Sequence, residues 1–151
     1  MPALPYRIRP FKPEDLAELH KIDQICFPAH MSFSRAELLF YIDHPKSITR
    51  VIEGPGRIIG FVLSRIENAR QAHFITLDVI PEFRKQKIGT RLMSEMHNEL
   101  KKQGIQSAVL EVAVDNLPAQ RLYERLLYRY IKTLPGYYHG CEDAYQMTRL
   151  L

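Results

Sequence analysis

A strand, a helix and a second strand follow one another between residues 73 and 114, and this order restricts the fold more than any other feature. HFITLDVI (73–80) is apolar and β-branched and stops at Pro81. GTRLMSEMHNELKKQ (89–103) sets Leu92, Met93, Met96 and Leu100 at helical spacing, with Gly104 to close it. QSAVLEVAV (106–114) is a strongly apolar second strand. A long helix between two strands is a crossover rather than a hairpin, so the strands it joins are expected to be parallel neighbours within a mixed sheet.

The rest of the chain supplies antiparallel material. YRIRPF (6–11) alternates like a short strand, and PEDLAELHKIDQICF (13–27) reads as a helix whose first turn holds Pro13, Glu14 and Asp15. SRAELLFYID (34–43) is a second helix with Ser34 as N-cap. SITRVIE (47–53) and RIIGFVLSRIE (57–67) flank Gly54-Pro55-Gly56, a hairpin signal. LPAQRLYERLL (117–127) is helical, and YIKTL (130–134) and AYQMTRLL (144–151) read as closing strands. The predicted order is β-α-α-β-β-β-α-β-α-β-β. It gives an α/β (α+β) fold: one mixed, mostly antiparallel sheet with a central parallel pair and helices on both faces.

Residues 1–151 show no repeat, low-complexity tract or long linker, so a single domain is expected. The composition is 46% hydrophobic and 25% charged, that of a soluble globular chain. No apolar run approaches the roughly 20 residues needed to span a bilayer. The opening MPALPYRIRP has no apolar h-region, and a cytoplasmic protein is expected. Cys26 and Cys141 match no metal-ligand or redox spacing, and the scattered histidines make no HxxxH pair, so no metal site is expected.

The net charge of +4 is not evenly spread. Arg84, Lys85, Lys87 and Arg91 lie within eight positions where strand 73–80 turns into helix 89–103. A basic strand-to-helix turn offers backbone N–H groups, a helix N-terminus and cations together, the set that phosphate recognition needs. Neither GxxxxGK[ST] nor GxGxxG is present, so this is neither a Walker loop nor a Rossmann fingerprint. Taken alone, the same charges could simply be a solvated turn.

LDVIPEFRKQKIGTRL (77–92) resembles motif A of the GNAT superfamily of acyl-CoA N-acyltransferases, with Pro81, Arg84 and Gly89 on its pattern. IRPFKPEDL resembles the opening of that family and EVAVDNLPAQRLYERL its motif B, so the likeness spans essentially the whole chain. YYHGCEDAYQM adds a likeness to ribosomal-protein-alanine-type N-terminal acetyltransferases. Three places depart from the pattern. Lys87 stands where the first glycine of the turn is usual, Leu127-Tyr128 replaces Gly-Phe, and Cys141 stands where glycine is common. A lysine at 87 fits only if that backbone site does not require φ > 0.

The resemblance implies acetyl-CoA as cofactor, with coenzyme A as product. It implies a pyrophosphate cradle made by Arg84, Lys85, Gln86, Lys87, Ile88, Gly89 and Thr90. Leu77 and Val79 would hold the pantetheine arm by their backbone, the Val79 amide would polarise the thioester carbonyl, and Asn116 would both cap a helix and touch the cofactor.

Glu111 lies inside SAVLEVAV, where a carboxylate among apolar neighbours is expected to have a raised pKa. The resemblance makes it the base that takes the acceptor's proton. Tyr123, twelve residues on, is then the acid for the departing thiolate. His73 and Asp78 are expected to be structural, though either could assist or replace Glu111, His73 being the better placed. Tyr137 and Tyr138, in what reads as a turn, would clamp an incoming peptide backbone against Phe27 and His30.

The expected activity is acetyl transfer to a protein or peptide N-terminal α-amine within a ternary complex. The alternatives are a small-amine acceptor, a nucleic-acid-binding module and a silent acyl-CoA sensor. No nucleic-acid or membrane partner is expected, and the chain is expected to be a monomer or weak dimer.

Overall fold

The structure, a computed structural model, describes residues 6–151. The strands are β1 (Arg7–Pro10), β2 (Ser47–Gly54), β3 (Arg57–Ile66), β4 (Gln71–Val79), β5 (Ser107–Ala113), β6 (Arg129–Tyr138) and β7 (Glu142–Leu150). The helices are α1 (Leu16–Cys26), α2 (Arg35–Asp43), α3 (Ile88–Lys102) and α4 (Leu117–Arg125). All seven strands form one sheet in the order β1-β2-β3-β4-β5-β7-β6. Every pairing is antiparallel except β4 with β5, the two strands joined through α3. The expected mixed sheet and its parallel pair are therefore observed.

Local chemistry sets the element boundaries. Ser34 and Glu37 close a reciprocal capping box at the start of α2, with bonds of 3.1 and 2.9 Å. The helix expected from Pro13 begins instead with a 3-10 turn, Pro13–Asp15. There the Asp15 carboxylate accepts from the Lys12 amide (2.8 Å) and from both terminal nitrogens of Arg9 (2.8 and 2.9 Å). The Arg9 bond keeps Asp15 below the ordinary carboxylate range despite its burial.

The core lies on both sides of β3, whose residues Ile58 to Ser64 are all buried. On these strands α1 packs against β3 and β4, and α3 against β2, β3 and β4. Leu92, Met93, Met96 and Leu100, the apolar stripe of α3, are all fully buried. Among the described residues no helix is long and apolar enough to cross a membrane.

Irregularities at two places, along β4 and in β6, matter for function. A bulge between Leu63 and Ser64 leaves Ile75 of β4 without a partner and bends the strand. Pairing of β4 with β5 runs only from Gln71↔Ser107 to His73↔Val109, so beyond that point the two strands separate.

The second irregularity is in β6. Pro135-Gly136 reads as a turn, yet the strand continues to Tyr138. Gly136, at φ +62°, absorbs a register break between Leu134↔Ala144 and Tyr138↔Glu142, and its amide donates to Asp143 Oδ1 at 2.8 Å. Tyr137 and Tyr138 thus lie on a strand rather than in the expected turn.

Candidate active site

The parting of β4 and β5 opens a gap in the middle of the sheet. Ile80 N–H donates to Ile59 O on the β3 side (2.9 Å). Since strand peptides alternate, the N–H groups of Val79 and Leu77 point the other way, into the gap. The Val79 carbonyl is engaged there, accepting from Arg84 Nε at 3.0 Å and Cys26 Sγ at 3.4 Å.

Two cavities meet at this gap. One, of about 310 Å³, lies between the α1–α2 loop and the end of β6; the other, of about 910 Å³, lies over the start of α3. Phe27, Leu77, Asn116, Ala119 and Tyr123 line both, so they form the junction.

The larger cavity is basic and built from backbone. Arg84, Lys85, Lys87, Ile88, Gly89 and Thr90 line it together with Leu77, Val79 and Asn116. Helix α3 has no side-chain N-cap and no acid in its first turn, so its N-terminal dipole is left to a ligand. A Cβ on Gly89 would stand 3.3 Å from Leu122 and 3.6 Å from Leu77, so glycine allows the close approach of α3, α4 and β4. Gln86 turns elsewhere: its side-chain carbonyl accepts from the Tyr6 hydroxyl at 2.9 Å, and it does not line the cavity.

Lys87 corrects an expectation. Its φ is +62°, so the site does require the left-handed conformation, and Lys85 adopts φ +62° as well. The chain passes from extended Arg84 to the first turn of α3 within four residues, and left-handed residues make that reversal. The lysines bear the Cβ strain that glycine would avoid.

The smaller cavity is built from side chains. Glu111, whose side chain is only 7% exposed, accepts hydrogen bonds from His73 Nε2 (2.5 Å), the Tyr137 hydroxyl (3.0 Å) and Gln146 Nε2 (3.1 Å). His73 pairs with Val109 across the parallel strands, and Glu111 lies two residues on, on the same face. Gln146 is the cross-strand partner of Glu111 on β7. The other nitrogen of His73, Nδ1, meets Glu67 Oε1 at 3.1 Å. A carboxylate at each ring nitrogen favours the imidazolium form, which donates from both.

The raised pKa expected for Glu111 is not found. Burial pushes its carboxyl up, but the hydrogen bond and charge of His73, with the Gln146 and Tyr137 bonds, bring it below its ordinary value. Burial in turn pulls His73 down, and Glu111 and Glu67 raise it above its ordinary value. The apolar neighbours of Glu111 in sequence are not its neighbours in space on the open face of the sheet.

The remaining predicted residues also converge. Tyr123 is 9% exposed, and burial raises its phenol above the ordinary value, so it stays protonated at neutral pH. Asn116 accepts from the Ala119 amide at 3.2 Å as the N-cap of α4 while lining both cavities. Tyr137 and Tyr138 stack edge to face, 5.0 Å apart, on one wall of the smaller cavity. His30 from the opposite wall reaches Glu142 Oε2 at 3.1 Å and ties the α1–α2 loop to β7. Asp78 points away from both cavities, 1% exposed.

Residues 16–127 match the Acetyltransferase (GNAT) family. The chain belongs to the GNAT acetyltransferases.

An N-alpha-acetyltransferase of Sulfurisphaera tokodaii is 30% identical over 157 aligned positions, which cover 94% of this chain and 91% of that protein. Ard1 from Thermoplasma volcanium superposes with a TM-score of 0.91 at 27% identity, covering 98% of this chain and 99% of that one. The ribosomal-protein-S18-alanine N-acetyltransferase of Escherichia coli shares the fold, with a TM-score of 0.87 at 23% identity over 96% of this chain and 93% of that one.

Sequence reading of this GNAT acetyltransferase missed two members of the acid–histidine network, Glu67 and Gln146. Gln146 becomes visible only once the β5–β7 register is known. Glu67 sits just past β3 and is brought beside His73 by the turn into β4. No local pattern in the sequence marks either.

Proposed function

We propose that this GNAT acetyltransferase moves the acetyl group of acetyl-CoA to the α-amine of a protein or peptide N-terminus, within a ternary complex. The observation that carries the reading is the junction of a basic, backbone-lined cavity with a carboxylate–histidine–tyrosine cavity at Tyr123 and Asn116. The first fits a nucleotide pyrophosphate and the second fits an ammonium group. An extended wall at Tyr137 and Tyr138 suits a peptide backbone, and the α-amine acetyltransferase name carried by the Sulfurisphaera relative supports the same acceptor.

Bound acetyl-CoA supplies the thioester carbonyl that the acceptor amine attacks. The residues of the chain then have distinct tasks. Arg84, Lys85, Lys87 and the first-turn amides of α3 bind the pyrophosphate. The amides of Leu77 and Val79 orient the arm, and that of Val79 donates toward developing negative charge. Glu111 receives the acceptor ammonium and takes its proton, with His73 as the second titrating group of one unit. Tyr123 delivers a proton to the leaving sulfur.

Cys26 also lines the donor cavity, but burial pushes its thiol up to about 12. It is therefore kept protonated, which supports direct transfer over an acetylated cysteine. The concentration of cations at one turn supports a reaction without nucleic acid. We place the reaction in the cytoplasm, carried out by a monomer or weak dimer.

The test is thiol release from acetyl-CoA with peptides varied at their first two residues, run beside polyamines and free amino acids. Turnover on peptides with a free α-amine, lost when that amine is blocked, is the expected result. Turnover on small amines with none on peptides would overturn the acceptor assignment.

A further inference from the structure

Behind the reaction gap lies a second pair of acids that the chemistry above does not use. Asp23 of α1 and Asp78 of β4 are 0% and 1% exposed. Each has one satisfied oxygen: Asp78 Oδ1 accepts from Thr76 Oγ1 at 2.5 Å, and Asp23 Oδ2 from the Phe33 amide at 2.7 Å. The other two oxygens, Asp23 Oδ1 and Asp78 Oδ2, are buried without a donor from any other described residue. Asp23 and Asp78 stand on elements that pack together, α1 and β4, and the Asp23 side chain is the carboxyl that bonds Asp78. Two carboxylate oxygens cannot bond one another, whereas one proton between them satisfies both.

Burial, then the charge of Asp23 and the bond to it, hold Asp78 well above the ordinary carboxylate range, against opposing effects of Thr76 and Arg84. A proton on Asp78 lets its Oδ2 donate to Asp23 Oδ1, which satisfies both orphaned oxygens and joins β4 to α1. Asp23 passes this anchorage on. Its second oxygen holds the Phe33 amide, and the adjacent Gln24 Nε2 donates to the Phe33 carbonyl at 2.7 Å. Both polar groups of one loop residue are thus gripped by consecutive residues of α1. Phe33 packs on Tyr41 with ring centres 5.4 Å apart, and both line the smaller cavity with Phe27 and Met31.

We propose that Asp23 and Asp78 are positioning residues for the acceptor: through one shared proton they lock Phe33 and the α1–α2 loop against β4, and so set the acceptor cavity. Neither touches a substrate. Their role rests on reading the smaller cavity as the acceptor site.

Three measurements on the full chain test this. At pH 7, the side-chain carboxyl carbon shifts of Asp23 and Asp78 should show one protonated group; two ionised carboxylates would overturn the shared proton. Asp23→Asn and Asp78→Asn each replace that proton with an amide N–H, and each should keep the acceptor KM within about threefold of wild type. Asp23→Ala removes the Phe33 anchor and should raise the acceptor KM about tenfold, leaving acetyl-CoA KM and kcat within about twofold. An unchanged acceptor KM in Asp23→Ala, or equal losses in the alanine and asparagine variants, would overturn the proposal.

Hydrogen exchange at the Phe33 amide gives a reading independent of turnover. It should be protected in wild type and in both asparagine variants; exchange at the rate of an exposed loop amide in wild type would overturn the anchor. If no peptide is acetylated, the acceptor assignment fails, while the carboxyl shifts and the Phe33 amide still decide the shared proton and its anchor.

Discussion

The two cavities that meet at Tyr123 are built in opposite ways. The proposed donor side is nearly continuous in sequence, from Leu77 to Thr90 with α4 as its lid, and its chemistry is that of backbone: an uncapped helix start and strand amides facing a gap. Its two lysines are exposed, and both hold left-handed backbone. The proposed acceptor side draws on the α1–α2 loop, β3, β4, β5, β6 and β7, and its chemistry is that of hydrogen-bonded side chains. A backbone site tolerates replacement of its side chains, because the amides and the helix dipole stay in place. A side-chain network fails as a unit, because each member sets the proton of the next.

The largest effects should therefore come from the acceptor side and the junction. Glu111→Gln and Tyr123→Phe are each expected to lower kcat by about 10²–10³-fold, with acetyl-CoA affinity within about twofold of wild type. Near-wild-type turnover in either variant would remove that residue from the proposed roles. On the donor side, Arg84→Ala combined with Lys87→Ala should weaken acetyl-CoA binding only about tenfold at low salt, and less at high salt, with acceptor KM unchanged. A loss as deep as that of Glu111→Gln would mean that side chains rather than backbone dominate the donor site.

The acid–histidine pair should show itself in pH dependence. His73 has a raised pKa, so its stabilising contribution is complete below about pH 6.5 and fades as pH rises through the folded value. Glu111 has a lowered pKa, so its contribution is present above about pH 4.3 and is lost as pH falls through the folded value. His73→Gln should accordingly destabilise most between those two limits, by a few degrees in Tm, and progressively less above neutrality, as read by thermal melts across pH. The rate should rise with pH through the raised His73 value, because the pair must shed that proton before it can accept another, and the variant should lose this limb.

The smallest effects concern backbone strain. Leu127, 73% exposed, ends α4 at φ +69°, a position that favours glycine. Leu127→Gly should raise Tm by about 2–4 °C for about 1 kcal/mol of relieved strain, with kcat unchanged. Lys87→Gly should give a similar gain in Tm at some cost in acetyl-CoA affinity. If it bound acetyl-CoA as wild type does, Lys87 would contribute no charge to the site.

The comparison also separates what was legible from what was not. The donor turn could be read because strand, Pro81, cations and helix start are neighbours along the chain, and the parallel pair followed from the crossover helix alone. The two departures at Lys87 and Leu127 were visible as odd residues. Only the backbone angles reveal that both occupy left-handed positions, where they carry strain rather than a different geometry. Tyr137 and Tyr138 were mistaken for turn residues because Pro135-Gly136 is a turn signal locally. Pairing with β7 overrode it by absorbing Gly136 into a register break.

The sequence by itself determined the element order, the mixed sheet and the basic strand-to-helix turn, since each depends on periodicity or on spacing within one stretch of chain, while the resemblance singled out Glu111, Asn116 and Tyr123 as candidates. Only the tertiary structure decided the proton states. Glu111 meets His73, Gln146 and Tyr137 from three other strands, and Asp23 meets Asp78 across the helix–sheet interface. A carboxyl's pKa is set by the few groups within hydrogen-bonding reach, and which groups those are is fixed by strand register and packing, not by neighbours in sequence.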